Sequence, residues 1–188
     1  TNLAEFQAGT LPNDNDTDSD GLLDGVDPQP LIPANPSATR FDQNGDGKAD
    51  ILWRNVSNGQ NWFYMMNGHQ IAQGAGFNVV ANEWDIAGRG DFNGDGMADI
   101  LWQNINTGES WVYLMNGSQV SSKRYLAITG SDWSIKAITD LNGDGKADVL
   151  WQNSVTGQLW LYLMDGARIA SSRPIGSGVS SDWQVLGA

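Results

Sequence analysis

The chain has 188 residues, 22 of them Asp or Glu and 10 Lys or Arg, for a formal charge of −12. That balance excludes the basic surfaces that bind nucleic-acid phosphates or anionic membranes, and no apolar run reaches the roughly 20 residues that span a bilayer. The absence of cysteine excludes disulfide scaffolds and thiolate metal sites, while 40 % hydrophobic residues and nine Trp argue for a packed core. The chain opens at Thr1 with neither Met nor an apolar leader, as expected of a processed or excised piece.

The first feature in chain order is an acidic cluster, NDNDTDSDGLLDGVD, with six Asp between Asp14 and Asp27. Its spacing suits a calcium loop that draws on Asp16, Asp18, Asp20, the Leu22 carbonyl, Asp24 and Asp27, with Gly21 at the turn. The cluster resembles a single thrombospondin type 3 repeat, a calcium-binding linker of extracellular proteins. The next stretch, PQPLIPANP, holds four of the six prolines and reads as a stiff linker. Residues 1–36 are therefore expected to form an acidic motif plus linker, and residues 37–188 a second domain.

Three further acidic stretches come after the linker: DQNGDGKAD from Asp42, DFNGDGMAD from Asp91 and DLNGDGKAD from Asp140. Together with the first cluster they hold fifteen of the 22 acids. Crowded carboxylates repel unless a cation or water absorbs the charge, and identical spacing in three copies disfavours a merely solvated loop. Each stretch places side-chain oxygens at positions 1, 3, 5 and 9, a carbonyl at 7 and Gly at 6, the arrangement of a calcium loop. The expected Ca²⁺ ligands are Asp42, Asn44, Asp46, the Lys48 carbonyl and Asp50; then Asp91, Asn93, Asp95, the Met97 carbonyl and Asp99; then Asp140, Asn142, Asp144, the Lys146 carbonyl and Asp148. Zinc is disfavoured by a single His and no Cys.

The loops recur at 49 residues, and so do most of the residues after each loop. Trp53, Trp102 and Trp151 match, as do Trp62, Trp111 and Trp160, and Tyr64, Tyr113 and Tyr162. The repeats run at about 41–90, 91–139 and 140–188. Within one repeat, strands are expected over 98–103, 111–115, 118–122 and 133–138, separated by turns of the Asn-Thr-Gly type. Trp84 and Trp133 each open a strand that leads into the next loop. The first loop has Asn35-Pro36 where that strand should be, and the missing strand is expected at the other end, over 183–188.

DFNGDGMADILWQN and its two sisters resemble the FG-GAP or VCBS-type repeats of bacterial secreted proteins and of the integrin alpha-chain propeller. The resemblance implies an all-β fold of three four-stranded propeller-type blades, with calcium bound between the first and second strands of each blade and a swapped C-terminal strand closing the ring. It also implies a secreted module used for adhesion or ligand recognition. Family propellers typically have about seven repeats, so either a homodimer completes the ring or the three units pack otherwise, with a β-trefoil as the alternative architecture.

A non-catalytic, carbohydrate-binding module stabilised by Ca²⁺ is the leading expectation, with a protein-binding adhesion module or a structural spacer as alternatives. Aromatic rings flanked by amides and guanidinium suit sugars, and three such triads occur: Trp53-Arg54-Asn55, Trp102-Gln103-Asn104 and Trp151-Gln152-Asn153. Arg89-Gly90-Asp91 is not read as an adhesion tripeptide, because Asp91 is the first ligand of its loop. With one His, no Cys and most acids committed to metal, no catalytic pair can be named and no enzyme is expected.

Overall fold

The structure, a computed structural model, describes residues 41–130 and 132–176. The N-terminal motif (Asp16, Asp18, Asp20, Leu22, Asp24, Asp27) and the strand expected over 183–188 lie outside the described residues. Within them the chain is all-β, in three separate antiparallel sheets. Sheet 1 holds β1 (Ile51–Arg54), β2 (Asn61–Asn67) and β3 (Gln70–Phe77). Sheet 2 holds β4 (Trp84–Gly90), β5 (Asp99–Asn104), β6 (Glu109–Asn116) and β7 (Gln119–Ile128). Sheet 3 holds β8 (Trp133–Thr139), β9 (Asp148–Asn153), β10 (Leu159–Met164) and β11 (Ile169–Ile175).

Each sheet is a meander in chain order, and none closes on itself. Strands that open with Trp84 and Trp133 join the sheet of the strand after their loop, so loops 91–98 and 140–147 connect the first and second strands of sheets 2 and 3. Sheet 1 begins at β1, without a leading strand among the described residues. The third strand is longer than its sequence suggests: β7 runs for ten residues to Ile128, because pairing with β6 continues past Ser122 to Glu109↔Ile128. No sheet shares strands with another, so the described residues contain no trefoil barrel.

Register puts like residues opposite one another. Trp53 pairs with Trp62, Trp102 with Trp111 and Trp151 with Trp160. One residue along, on the opposite face, Leu52 pairs with Phe63, Leu101 with Val112 and Leu150 with Leu161. The sheets stack so that these two faces meet. Phe63 and Met65 of sheet 1 pack on Ile100, Trp102 and Met115 of sheet 2. Leu101 and Val112 of sheet 2 pack on Val149 and Trp151 of sheet 3. The middle strands β5 and β9 are thus apolar on both faces and almost wholly buried, the pattern of strands covered on both sides. First strands meet as well: Gly88 of β4 sits so close to β8 that an added Cβ would come within 2.3 Å of Ile138 Cδ1.

Candidate functional site

The three loops fold alike, around the carboxylate at their first position. Asp91 Oδ1 accepts the N–H groups of Gly94 (2.7 Å) and Asp95 (3.2 Å), and Oδ2 accepts that of Gly96 (2.7 Å). Asp42 and Asp140 gather the corresponding N–H groups in their own loops. Asx-type bonds continue the curl: Asn93 Oδ1 accepts from Asp95 N (3.0 Å), and Asp95 Oδ1 from Met97 N (2.9 Å). Gly47, Gly96 and Gly145, at the sixth position, have φ of 79°, 82° and 81°, a left-handed conformation that favours glycine.

Asp50, Asp99 and Asp148, at the ninth position, tie each loop to its own sheet. Asp99 Oδ2 accepts Phe92 N (2.9 Å) and Oδ1 accepts Met115 N (2.8 Å). Asp50 does the same with Gln43 N and Met66 N, and Asp148 with Leu141 N and Met164 N. Burial pushes the Asp99 carboxyl up to about 8, against the pull of its two backbone N–H bonds and helped by the nearby charges of Asp95 and Asp91. Burial also raises Asp91 and Asp148. At Asp140 burial still pushes upward, but the backbone N–H bonds of Gly145, Gly143, Asn142 and Asp144 together bring the carboxyl below the ordinary value.

The donor chemistry of each loop fits Ca²⁺, which takes six to eight oxygens from carboxylates, amides and carbonyls. Among the described residues no three carboxylates converge as a ready-made metal cluster, so Asn and carbonyl oxygens would have to complete the set. No ion pair among the described residues neutralises Asp91, Asp95 or Asp99. Lys48 reaches Asp46 (3.5 Å), and Lys146 turns away to Asp165. That pairing raises Lys146 and lowers Asp165.

The loops are also linked to one another. Ala98 N donates to Asp42 O (2.5 Å) and Ala147 N to Asp91 O (2.6 Å), so each loop rests on the one before it. Two residues in this network escape a motif search centred on acids. Gln43 is fully buried, and its amide donates to Ala98 O and Gly117 O. Arg89 donates to Asp50 O, Phe41 O and Gln43 Oε1, and burial lowers it to about 10 against the pull of Asp50 and Asp42. Buried in this way, Arg89 is not displayed as part of an adhesion tripeptide. The signal in the sequence was the 49-residue alignment itself, which sets Arg89 against the apolar Ile138.

Between the sheets lie two clefts built from equivalent residues. The first, of about 290 Å³, is lined by Val80, Trp84, Trp102, Trp111, Tyr113 and Lys123, among others. The second, of about 230 Å³, is lined by Ile128, Thr129, Trp133, Trp151, Trp160 and Tyr162. Both use the Trp-Tyr pair of the sheet's buried face, with ring centroids 5.9 Å apart in each. Trp111 and Trp160 have their indole N–H bonded to Glu109 and Ser172. Those of Trp102 and Trp151 are buried without a partner among the described residues, an omission that costs about 1–3 kcal/mol each.

The three predicted triads separate by role. Asn55, Asn104 and Asn153 cap the turn after their strand, accepting backbone N–H groups two and three residues on. Arg54 is spent on structure, donating to Val80 O, Ala81 O and Trp84 O while its guanidinium lies 5.0 Å from the Trp102 ring centroid. Gln103 makes a long contact with Thr129 Oγ1 (3.5 Å), and the Gln152 amide nitrogen is buried without a partner. Trp102 and Trp151 form cleft walls, whereas Trp53 is 53 % exposed.

No curated protein and no solved structure matches the chain. Residues 91–151, which carry the second and third loops and the strands between them, match the family model of the FG-GAP-like repeat, and over that stretch the chain is similar to this family.

Proposed function

We propose that the chain is a calcium-stabilised, non-catalytic recognition module of a secreted protein, and that its clefts take carbohydrate. Duplication of the cleft carries this reading: two sites at the 49-residue spacing present the same Trp and Tyr walls. Ring faces stack on the apolar faces of sugars, and the unpartnered indole N–H groups of Trp102 and Trp151 are donors that a hydroxyl could satisfy. Lys123, whose ammonium lies 5.9 Å from the Tyr113 ring centroid, adds a cation at the first cleft only, which favours an anionic or amide-bearing sugar there. Calcium would hold the loops, and through the Asp42–Ala98 and Asp91–Ala147 bonds the spacing of the sheets that wall the clefts.

A glycan array probed with the full chain, in calcium and in chelator, tests the proposal. Binding that disappears in Trp111→Ala and Trp160→Ala, while both variants still unfold cooperatively in calcium, supports it. An array without hits, from protein that still melts cooperatively in calcium, overturns the carbohydrate assignment. The FG-GAP-like match favours a second reading, a protein-binding adhesion module of integrin-propeller type. In that case the same two substitutions would leave capture of an extracellular protein unchanged.

A further inference from the structure

We propose that Asn67 and Asn116, at the tips of two hairpins, are this chain's sites of spontaneous deamidation, and that Lys48 takes up the carboxylate formed at position 67. The chain has six Asn-Gly pairs, at Asn44, Asn58, Asn67, Asn93, Asn116 and Asn142. In such a pair the backbone nitrogen of Gly attacks Cγ of Asn. The new N–Cγ bond closes a succinimide, the Cγ–Nδ2 bond breaks, and ammonia leaves with the proton shed by the Gly nitrogen. Water then adds to either ring carbonyl and opens the ring to Asp or isoAsp. Glycine permits the attack because no side chain obstructs its nitrogen. Nitrogen and amide carbon must be brought together, so whatever holds either one in another arrangement slows the reaction.

The fold holds both reacting groups at four of the six pairs. In the acidic loops, Gly45 N, Gly94 N and Gly143 N donate to the first-position carboxylate at 2.8, 2.7 and 2.7 Å. The amides before them are held too, with Asn44, Asn93 and Asn142 accepting from Asp46 N, Asp95 N and Asp144 N. At the turn after β1, Gly59 N donates to Asn55 O at 2.8 Å, and Asn58 Oδ1 accepts from Gln60 N. Asn67-Gly68 and Asn116-Gly117 differ. There, neither the Gly nitrogen nor the Asn side-chain amide has a hydrogen-bond partner among the described residues, and both Asn are exposed.

The third hairpin shows what the product meets. At the same repeat position it already carries an acid, Asp165, whose Oδ1 lies 2.5 Å from Lys146 Nζ. Two repeat lengths earlier the same two positions are Asn67 and Lys48. Lys48 reaches Asp46 at 3.5 Å, so a carboxylate at position 67 has a cation at hand. In the second repeat Met97 stands at the position of Lys48. A carboxylate at position 116 therefore gains no such partner, and it stands beside the first acidic loop, where Gln43 Nε2 donates to Gly117 O.

Ageing the full chain at mildly alkaline pH, with peptide mass spectrometry that separates Asp from isoAsp, tests the assignment. In folded protein Asn67 and Asn116 should convert at least about tenfold faster than the other four. In urea the six rates should converge, because the bonds that hold four of the pairs are then lost. Folded protein in which Asn44, Asn58, Asn93 or Asn142 ages as fast as the two hairpins overturns the assignment. So does a folded chain whose hairpins stay intact while the urea-unfolded chain reacts. The role of Lys48 is read in the Asn67→Asp variant with a zero-length carbodiimide, which joins an ammonium to a carboxylate it touches. The expected products are a link between Lys48 and position 67 and, as internal control, one between Lys146 and Asp165. A Lys48 that stays linked to Asp46 in this variant, while the control link forms, overturns the ion pair.

Discussion

Raising the pH of the metal-free chain should destabilise it, and Asp99 should account for much of the loss. Its folded carboxyl titrates at about 8, against an ordinary value of 3.8, because burial disfavours the charged form more than the two backbone N–H groups favour it. A folded value above the unfolded one gives stability that is complete below the unfolded value and is lost as pH rises through the folded one. Between 3.8 and neutrality lie about three pH units at roughly 1.4 kcal/mol each, so this one group should cost about 4 kcal/mol at pH 7 relative to acid. Asp91 and Asp148 are raised by the same cause and add to the slope. Urea unfolding in chelator, from about pH 5 to pH 8, reads it directly. Asp99→Asn should flatten the dependence while costing about 1–3 kcal/mol at acid pH, because its amide can accept from only one of Phe92 N and Met115 N. Calcium should reverse the trend for wild type, since a bound cation favours the ionised carboxylates. If wild type in chelator is as stable at pH 8 as at pH 5, or Asp99→Asn keeps the wild-type slope, the buried charge is not what limits the metal-free fold.

Chelation should lower the melting temperature, because a ligand held at a hundred times its dissociation constant stabilises by about 2.7 kcal/mol; identical melting curves in EDTA and in millimolar calcium would sink the calcium assignment. Asp95→Ala, at an exposed loop position, should leave chelated protein almost unchanged and reduce the calcium-induced shift, seen by the same melting assay. Arg89→Met should destabilise by about 2–4 kcal/mol in chemical denaturation, since Asp50 O and Gln43 Oε1 would lose the guanidinium N–H groups that bond them and Phe41 O one of its donors. Gly96→Ala, at φ 82°, should cost about 1–3 kcal/mol in the same denaturation assay by forcing a side chain into the left-handed region.

The sequence alone determined what repeats locally. Spacing of oxygens and glycines within nine residues specifies the loop, and its curl around Asp42, Asp91 and Asp140 comes from short-range N–H bonds that any copy can make. Alternating turn residues and apolar runs placed the strands of the described residues. Only the tertiary structure decided what each equivalent residue experiences. Trp53, Trp102 and Trp151 are the same residue in the same register, yet one is exposed and two are buried, because burial depends on whether another sheet stands in front. Arg54 was expected in a sugar-binding triad and Arg89 stood in a rejected adhesion tripeptide, and both are consumed by carbonyls that the fold brings from 26 to 48 residues away. The clefts were invisible for the same reason: each sets one sheet against the chain that leaves the sheet before it, and that stacking is set by long-range packing that no local pattern encodes.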